Sequence, residues 1–232
     1  MLMRIAIILA RGNSVRIKNK NTLMFEKRPM ISWPIKCAHR TKIFDRIIVS
    51  TDCLKIKKIA EKYNAEVPFL RSKNNSKHNS LPIDAIKEVL SKLKIKNKIY
   101  ICVFFGNSPF SYYKDVLKGL KLFNKKKIKT VLPVKKIDSR YQRIFVKNKN
   151  ETIKFFNQST LNARSQELSD TFIDAGQWFW IKYDTRKSKK FKILGGKIGF
   201  VTIPDNRVCD IDNYSDLKLA RLLAKKKHFK HA

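Results

Sequence analysis

Along residues 4–134 the hydrophobic positions switch repeatedly between two patterns. Residues 4–10 (RIAIILA) are an unbroken apolar, β-branched run of strand length, as expected for a strand covered on both faces in a parallel sheet. Runs of the same kind recur at 46–50 (RIIVS), 66–70, 99–105 and 130–134. Between them the apolar spacing widens to helical rhythm. One helix is predicted after Pro29 through Met30, Trp33, Ile35 and Cys37, with Pro34 near its start. Thr51 and Asp52 read as the cap of a second, whose Leu54, Ile59, Ala60 and Tyr63 share a face. Further helices are predicted over about 82–93 and 114–123. Repeated strand–helix units predict a mostly parallel sheet with right-handed crossovers and helices on both faces.

From 135 to 183 that rhythm breaks. Residues 142–146 and 152–156 read as a hairpin and 178–182 as a further strand, with a polar stretch around Arg164 between them. A late strand at 198–203 and an amphipathic helix over about 213–227, with Leu217, Ala220, Leu223 and Ala224 inward, close the pattern. The length of 232 residues suits one α/β domain, so the whole chain is read as a single domain with an inserted lid at about 135–183.

Composition changes this picture little. Hydrophobic residues make up 43% of the chain, enough for a packed core, and no apolar run reaches the length of a membrane span. The first ten residues are too short for a signal peptide, so a cytoplasmic location is expected. Cys37, Cys53, Cys102 and Cys209 are widely separated, which fits reduced thiols rather than a disulfide framework or a zinc site. The formal net charge of +34 raises the question of nucleic acid. Of the 52 basic residues 39 are Lys, and they alternate with core positions along the entire chain. That distribution reads as a solvated basic surface, and a nucleic-acid or membrane partner is not expected.

In an open parallel sheet the ligand crevice lies beyond the carboxyl ends of the strands, which directs attention to residues 11–21 (RGNSVRIKNKN). The segment has neither GxGxxG nor GxxxxGK[ST], so it is neither a dinucleotide fingerprint nor a P-loop. It nevertheless offers Arg11 for bidentate phosphate contacts, Gly12 for close backbone approach, Ser14 as a hydroxyl donor, and Arg16, Lys18 and Lys20 as further cations. The residues alone leave open a solvated basic loop.

A second candidate is Asp210 and Asp212 in VCDID. Residues two apart on an extended chain face the same side, so the carboxylates converge, an arrangement suited to a hard divalent cation. The alternative is that Asp212 caps the helix starting near Asn213 while Asp210 pairs with a surface Lys. Four His, none beside a Ser or Cys in a nucleophile motif, support no catalytic triad.

Taken in order, ILARGNSVRIKNKN, FDRIIVSTD, AEVPFLR, NARSQEL, DAGQWFW and VCDIDNYSDL resemble the CMP-nonulosonate synthetases, cytidylyltransferases of sialic-acid type, and most of all their pseudaminic acid branch. The likeness runs from about residue 5 to residue 223. It implies a Rossmann-like nucleotide-diphospho-sugar transferase fold, with the 135–183 element protruding to form a homodimer. It also implies Mg²⁺-dependent attack of an acidic nine-carbon sugar on CTP, giving a CMP-sugar and pyrophosphate for surface-glycan assembly.

By the same resemblance, Arg11, Gly12, Asn13, Ser14, Lys20 and Asn21 bind the nucleotide, with Arg11 and Lys20 on its phosphates. Arg71 and Ser80 also fall on the nucleotide side, and Asp210 and Asp212 hold the metal. Gln142, Arg143, Arg164, Gln166, Asp174 and Gln177 fall on the sugar side, as does Asn107, which stands where the branch carries a Pro-Thr segment. Trp178 and Trp180 read as core.

Overall fold

The computed structural model describes residues 2–77, 79–123, 128–184 and 192–225. Its centre is a seven-stranded sheet. The early strands are β1 (Arg4–Leu9), the short pair β2 (Met24–Phe25) and β3 (Arg28–Pro29), β4 (Arg46–Ser50) and β5 (Ile99–Phe105). They are followed by β6 (Thr130–Ile137), β7 (Phe145–Lys147), β8 (Ile153–Phe155), β9 (Thr171–Asp174), β10 (Trp178–Tyr183) and β11 (Ile198–Thr202). The helices are α1 (Ser32–Thr41), α2 (Leu54–Lys62), α3 (Pro82–Lys92), α4 (Tyr113–Phe123) and α5 (Tyr214–Ala224).

The sheet order is β11-β6-β10-β5-β1-β4, with β9 added to the far end of β6. Strands β4, β1 and β5 run parallel, as do β6 and β11, whereas β10 lies antiparallel between β5 and β6. The reversal follows from the chain's path. After β6 the chain leaves the sheet, returns along β6 as β9, and turns at Gly176 (φ +64°) into β10 at the carboxyl edge of β5.

The unbroken apolar strands are buried on both faces, as their pattern requires. Ala6 and Ile8 of β1 pack with Cys102, Phe104, Trp178 and Trp180 under α1, α2 and α4, while Ile5 and Ile7 join Ile101, Val103 and Ile181 under α3. A third cluster outside the sheet joins Ile17, Met30, Trp33 and Phe110 to Ile211, Leu217 and Ala220 of the α5 region.

Four expectations are corrected in detail. Residues 66–70 do not form a strand: Glu66 makes one bridge to Ile48, and pairing ends at Pro68, which has no N–H to donate. Asp52 does not cap α2; Cys53 is the N-cap. The hairpin in the inserted element is β7–β8, and Gln142 lies in the 3₁₀ turn Ser139–Arg143 before it. The closing helix ends at Ala224, and the last residues of its predicted span, 226–227, lie outside the described residues. Strand β9 had no strand signal of its own, because only Phe172 and Ile173 are apolar in it.

Candidate active site

The carboxyl ends of β1, β4 and β5 and the start of β10 meet at one edge. There lies a cavity of about 290 Å³ whose walls include Arg11, Ser14, Arg16, Lys20, Asn21, Arg71, Ser80, Asn107 and Asp212.

The loop after β1 is fixed from both sides. Ile17 is buried in the third cluster and anchors its middle. Gly12 donates its N–H to Asp52 Oδ1 at 2.7 Å, and a Cβ on Gly12 would stand 2.8 Å from that of Cys53, so the loop after β4 requires glycine here. Asp52, freed from capping, thus holds the loop. Asn21 is buried and donates Nδ2 to the Arg11 carbonyl at 2.8 Å. Gly106 closes the same junction: its N–H bonds the Leu9 carbonyl at 2.9 Å, and a Cβ there would meet Asn21 Oδ1 at 2.7 Å. Asn13 is exposed and, like Gly12, is not among the residues lining the cavity.

Opposite stands the 71–82 segment. Arg71 is buried and lines the cavity, and its Nε and one terminal nitrogen donate to Ser50. Ser80 donates to the Asn74 carbonyl at 2.8 Å, and Leu81 rather than Ser80 is the N-cap of α3. The segment hangs on Glu88. Its carboxylate accepts from Ser72 N (2.9 Å), Ser72 Oγ (3.0 Å), Asn75 Nδ2 (2.6 Å) and Lys92 (2.9 Å). Burial pushes the Glu88 pKa up, but Lys92, Asn75 and Ser72 outweigh it and hold it down at about 2.

Ile211 between Asp210 and Asp212 is fully buried while both aspartates keep solvent exposure, and of the two only Asp212 lines the cavity. Asp212 does not cap α5: Asn213 does, and Asp216 in turn accepts from the backbone N–H groups of Asp212 and Asn213, each at 2.9 Å. The Asp210 pKa is raised by loss of surrounding water and then by Asp212, with Asp174 also contributing and Lys20 opposing. Gly176 lies against Asp210, a Cβ there falling 3.1 Å from the carboxylate. Asn107 donates to the Ile211 carbonyl at 3.2 Å, tying the loop after β5 to this segment. Among the described residues no cluster of three or more His, Cys, Asp or Glu is placed to hold a metal. Two carboxylates near enough for Asp212 to act on Asp210, beside a cationic cavity, nevertheless suit a hard cation whose remaining ligands are water and substrate phosphate.

The residues expected on the sugar side are dispersed. Gln142 Nε2 donates to the Ser169 carbonyl and Thr171 Oγ1, both at 2.6 Å, and Arg143 donates to the Ala163 carbonyl. Arg164 and Gln166 are exposed on the inserted element. Asp174 is exposed near Asp210, accepts from Gly176 N at 2.9 Å, and has its pKa raised by desolvation. Gln177 is buried, and its Nε2 donates to the Arg207 carbonyl. Trp178 and Trp180 are core, against Gly119. Of this group only Asn107 lines the cavity.

Sequence reasoning missed Asp52, Glu88 and the buried Asp115–Arg207 pair that anchors the 204–209 segment leading to Asp210. Their acidic side chains are distant in sequence from what they support. The signal available was scarcity: the chain has only 18 acidic residues among 52 basic ones.

A sheet of this order with its cavity at the carboxyl edge is the architecture of α/β nucleotidyltransferases. A CMP:2-keto-3-deoxy-manno-octonic acid synthetase solved with CTP shares the fold, with a TM-score of 0.68 at 16% identity over 95% of this chain and 98% of that one. Residues 5–188 match the cytidylyltransferase family, and the chain belongs to it. A pseudaminic acid cytidylyltransferase from Campylobacter jejuni is 32% identical over 97% of each chain. An N-acylneuraminate cytidylyltransferase from Escherichia coli is 26% identical over 97% of this chain and 52% of its own.

Proposed function

We propose that this cytidylyltransferase activates pseudaminic acid: CTP and the sugar acid give CMP-pseudaminic acid and pyrophosphate, for surface-glycan assembly in the cytoplasm. The observation that carries this reading is the cavity that brings Arg11 and Lys20 of one loop together with Arg71 and Asp212, from three segments distant in sequence, at the carboxyl edge of the sheet. The choice of sugar rests on the stronger likeness to the pseudaminic acid enzyme, 32% against 26% at equal coverage of this chain.

In the reaction the anomeric hydroxyl of the sugar attacks the α-phosphorus of CTP, and pyrophosphate leaves as negative charge grows on it. Arg11 and Lys20 hold the phosphates and oppose that charge from fixed positions. Gly12, Asn13, Ser14 and Asn21 shape the phosphate loop, and Arg71 and Ser80 face the nucleoside. Asp210 and Asp212 would hold Mg²⁺, which when bound neutralises phosphate charge. Gln142, Arg143, Arg164, Gln166, Asp174, Gln177 and Asn107 make up the sugar side, where an Arg fork suits the C1 carboxylate.

The enzyme is a homodimer in this reading. Tyr141, Ile144, Phe145, Ile153, Phe156 and Leu161 are all exposed on the inserted element, with Phe156 at 74%. Apolar exposure of that density on one element favours a protein partner, and a second copy brings its own sugar-side residues toward the neighbouring cavity.

The test is pyrophosphate release by the purified protein with CTP and Mg²⁺. Pseudaminic, legionaminic, N-acetylneuraminic and 3-deoxy-octulosonic acids are offered in turn. Release with pseudaminic acid well above the other three is expected. Preference for another acid would reassign the sugar, and silence with all four from folded protein would remove the proposal.

A further inference from the structure

Both carboxylate oxygens of Asp212 are taken by cations from the loop after β1. Arg16 Nη2 stands 2.8 Å from Oδ2 and Lys20 Nζ 3.2 Å from Oδ1. The two cations are held differently. The Lys20 side chain is 15% exposed, begins a 3₁₀ turn, and also donates to the Ile211 carbonyl at 2.6 Å, so the fold fixes it. The Arg16 side chain is 66% exposed, and Asp212 is its sole ion-pair or hydrogen-bond partner among the described residues. Exposed pairs of this kind are weak and readily exchanged.

A divalent cation held by Asp212 needs one of its two oxygens, both of which are now covered, one by Arg16 and one by Lys20, and it would repel the loosely held guanidinium at contact distance. Arg16 lines the same cavity as Arg11 and Lys20, so phosphate oxygens of a bound nucleotide are within its reach. Its neighbour Ile17 is buried, so the side chain can turn while the backbone stays anchored.

We propose that Arg16 is an exchangeable counter-ion. It neutralises Asp212 while the site holds no divalent cation, and passes to the triphosphate when cation and CTP arrive together. The inference rests on the reading of Asp210 and Asp212 as cation ligands. It makes the lone cation a poor ligand and the CTP–cation pair a good one, because each arrival removes what opposes the other.

Mn²⁺ binding followed by the paramagnetic resonance of the free ion, with and without CTP and with no sugar acid present, separates the possibilities. Relative to wild type, Arg16→Gln is expected to bind Mn²⁺ about 5- to 10-fold tighter without nucleotide and CTP–Mn²⁺ about 5- to 10-fold more weakly, the low end of the range for coupled sites. Arg16→Lys should lie between. If Asp212→Asn abolishes Mn²⁺ binding but Arg16→Gln fails to tighten it, the exchange is overturned and the cation site stands. If wild type binds no Mn²⁺ even with CTP present, or Asp212→Asn leaves binding unchanged, the cation site falls and the exchange with it.

Discussion

The cavity wall assigned to the nucleotide and the projecting part of the inserted element, residues 138–170, are held together by different forces. On the nucleotide wall each functional segment has a buried anchor: Ile17 under the phosphate loop, Ile211 between the two aspartates, Glu88 beneath the 71–82 segment. Their polar partners are satisfied inside the domain, so the geometry exists before substrate arrives. The inserted element is built from three-residue strands β7 and β8, whose Phe145 and Phe155 rings pack at 4.4 Å while Phe145 remains half exposed. Bonds such as Arg143 to Ala163 join parts of this projection to one another, while β9 and β10 at the end of the element are strands of the central sheet. In the proposed assignment, preorganisation is therefore concentrated on the CTP side, and the sugar side is left to be completed by the substrate and, in the proposed dimer, by a second copy.

Several substitutions can break or sharpen that contrast. The largest effect is expected at Asp212→Asn, which should lower kcat by about 10²–10³-fold, the scale for losing one preorganised charged group. The melting temperature should hardly change, since Asp212 is half exposed; turnover near wild type would contradict the cation role.

Next comes Glu88. Its pKa near 2, below the ordinary 4.5, means that its stabilisation is complete above about pH 4.5 and is lost as the pH falls from there toward 2. The shift corresponds to at most about 3 kcal/mol. Glu88→Gln should therefore show its full deficit at neutral pH and converge on wild type only as the pH approaches 2 in denaturant unfolding, with the KM for CTP raised and that for the sugar unchanged. A deficit independent of pH would show that the carboxylate charge does not hold the segment.

Gly106→Ala forces a methyl to within 2.7 Å of Asn21 Oδ1 and 3.1 Å of the Leu9 carbonyl. A loss of about 1–3 kcal/mol is expected, typical of overpacking, together with weaker CTP binding by calorimetry. Arg164→Ala should have the smallest effect. It should raise the KM for the sugar acid about 10-fold, as expected for one charge-assisted contact, and leave CTP affinity unaltered. A selective loss of CTP affinity would move Arg164 to the other substrate.

The parallel core was legible because its strands are buried on both faces: β1, β4 and β5 each carry continuous apolar runs that admit no other reading. The phosphate loop and the Asp210–Asp212 pair were legible for a related reason, since local spacing alone sets which side chains emerge around the buried Ile17 and Ile211. What escaped was support at a distance. Asp52 looked like a helix cap by position, yet it accepts from Gly12, 40 residues earlier, a choice that only the pairing of β1 with β4 decides. The direction of β10 was hidden because WFWIKY is buried whichever way it runs. Around the β7–β8 hairpin apolar side chains face solvent, and a pattern read against a single chain's core has nothing to refer to there.

The claim that the CTP side is built in advance and the sugar side is not can be measured by titrating each substrate alone into the protein in Mg²⁺ by calorimetry. The account predicts that CTP binds saturably without the sugar, whereas pseudaminic acid shows no binding until CTP, or an unreactive analogue of it, is present. Saturable binding of the sugar acid to the nucleotide-free protein, with CTP binding only afterwards, would contradict it.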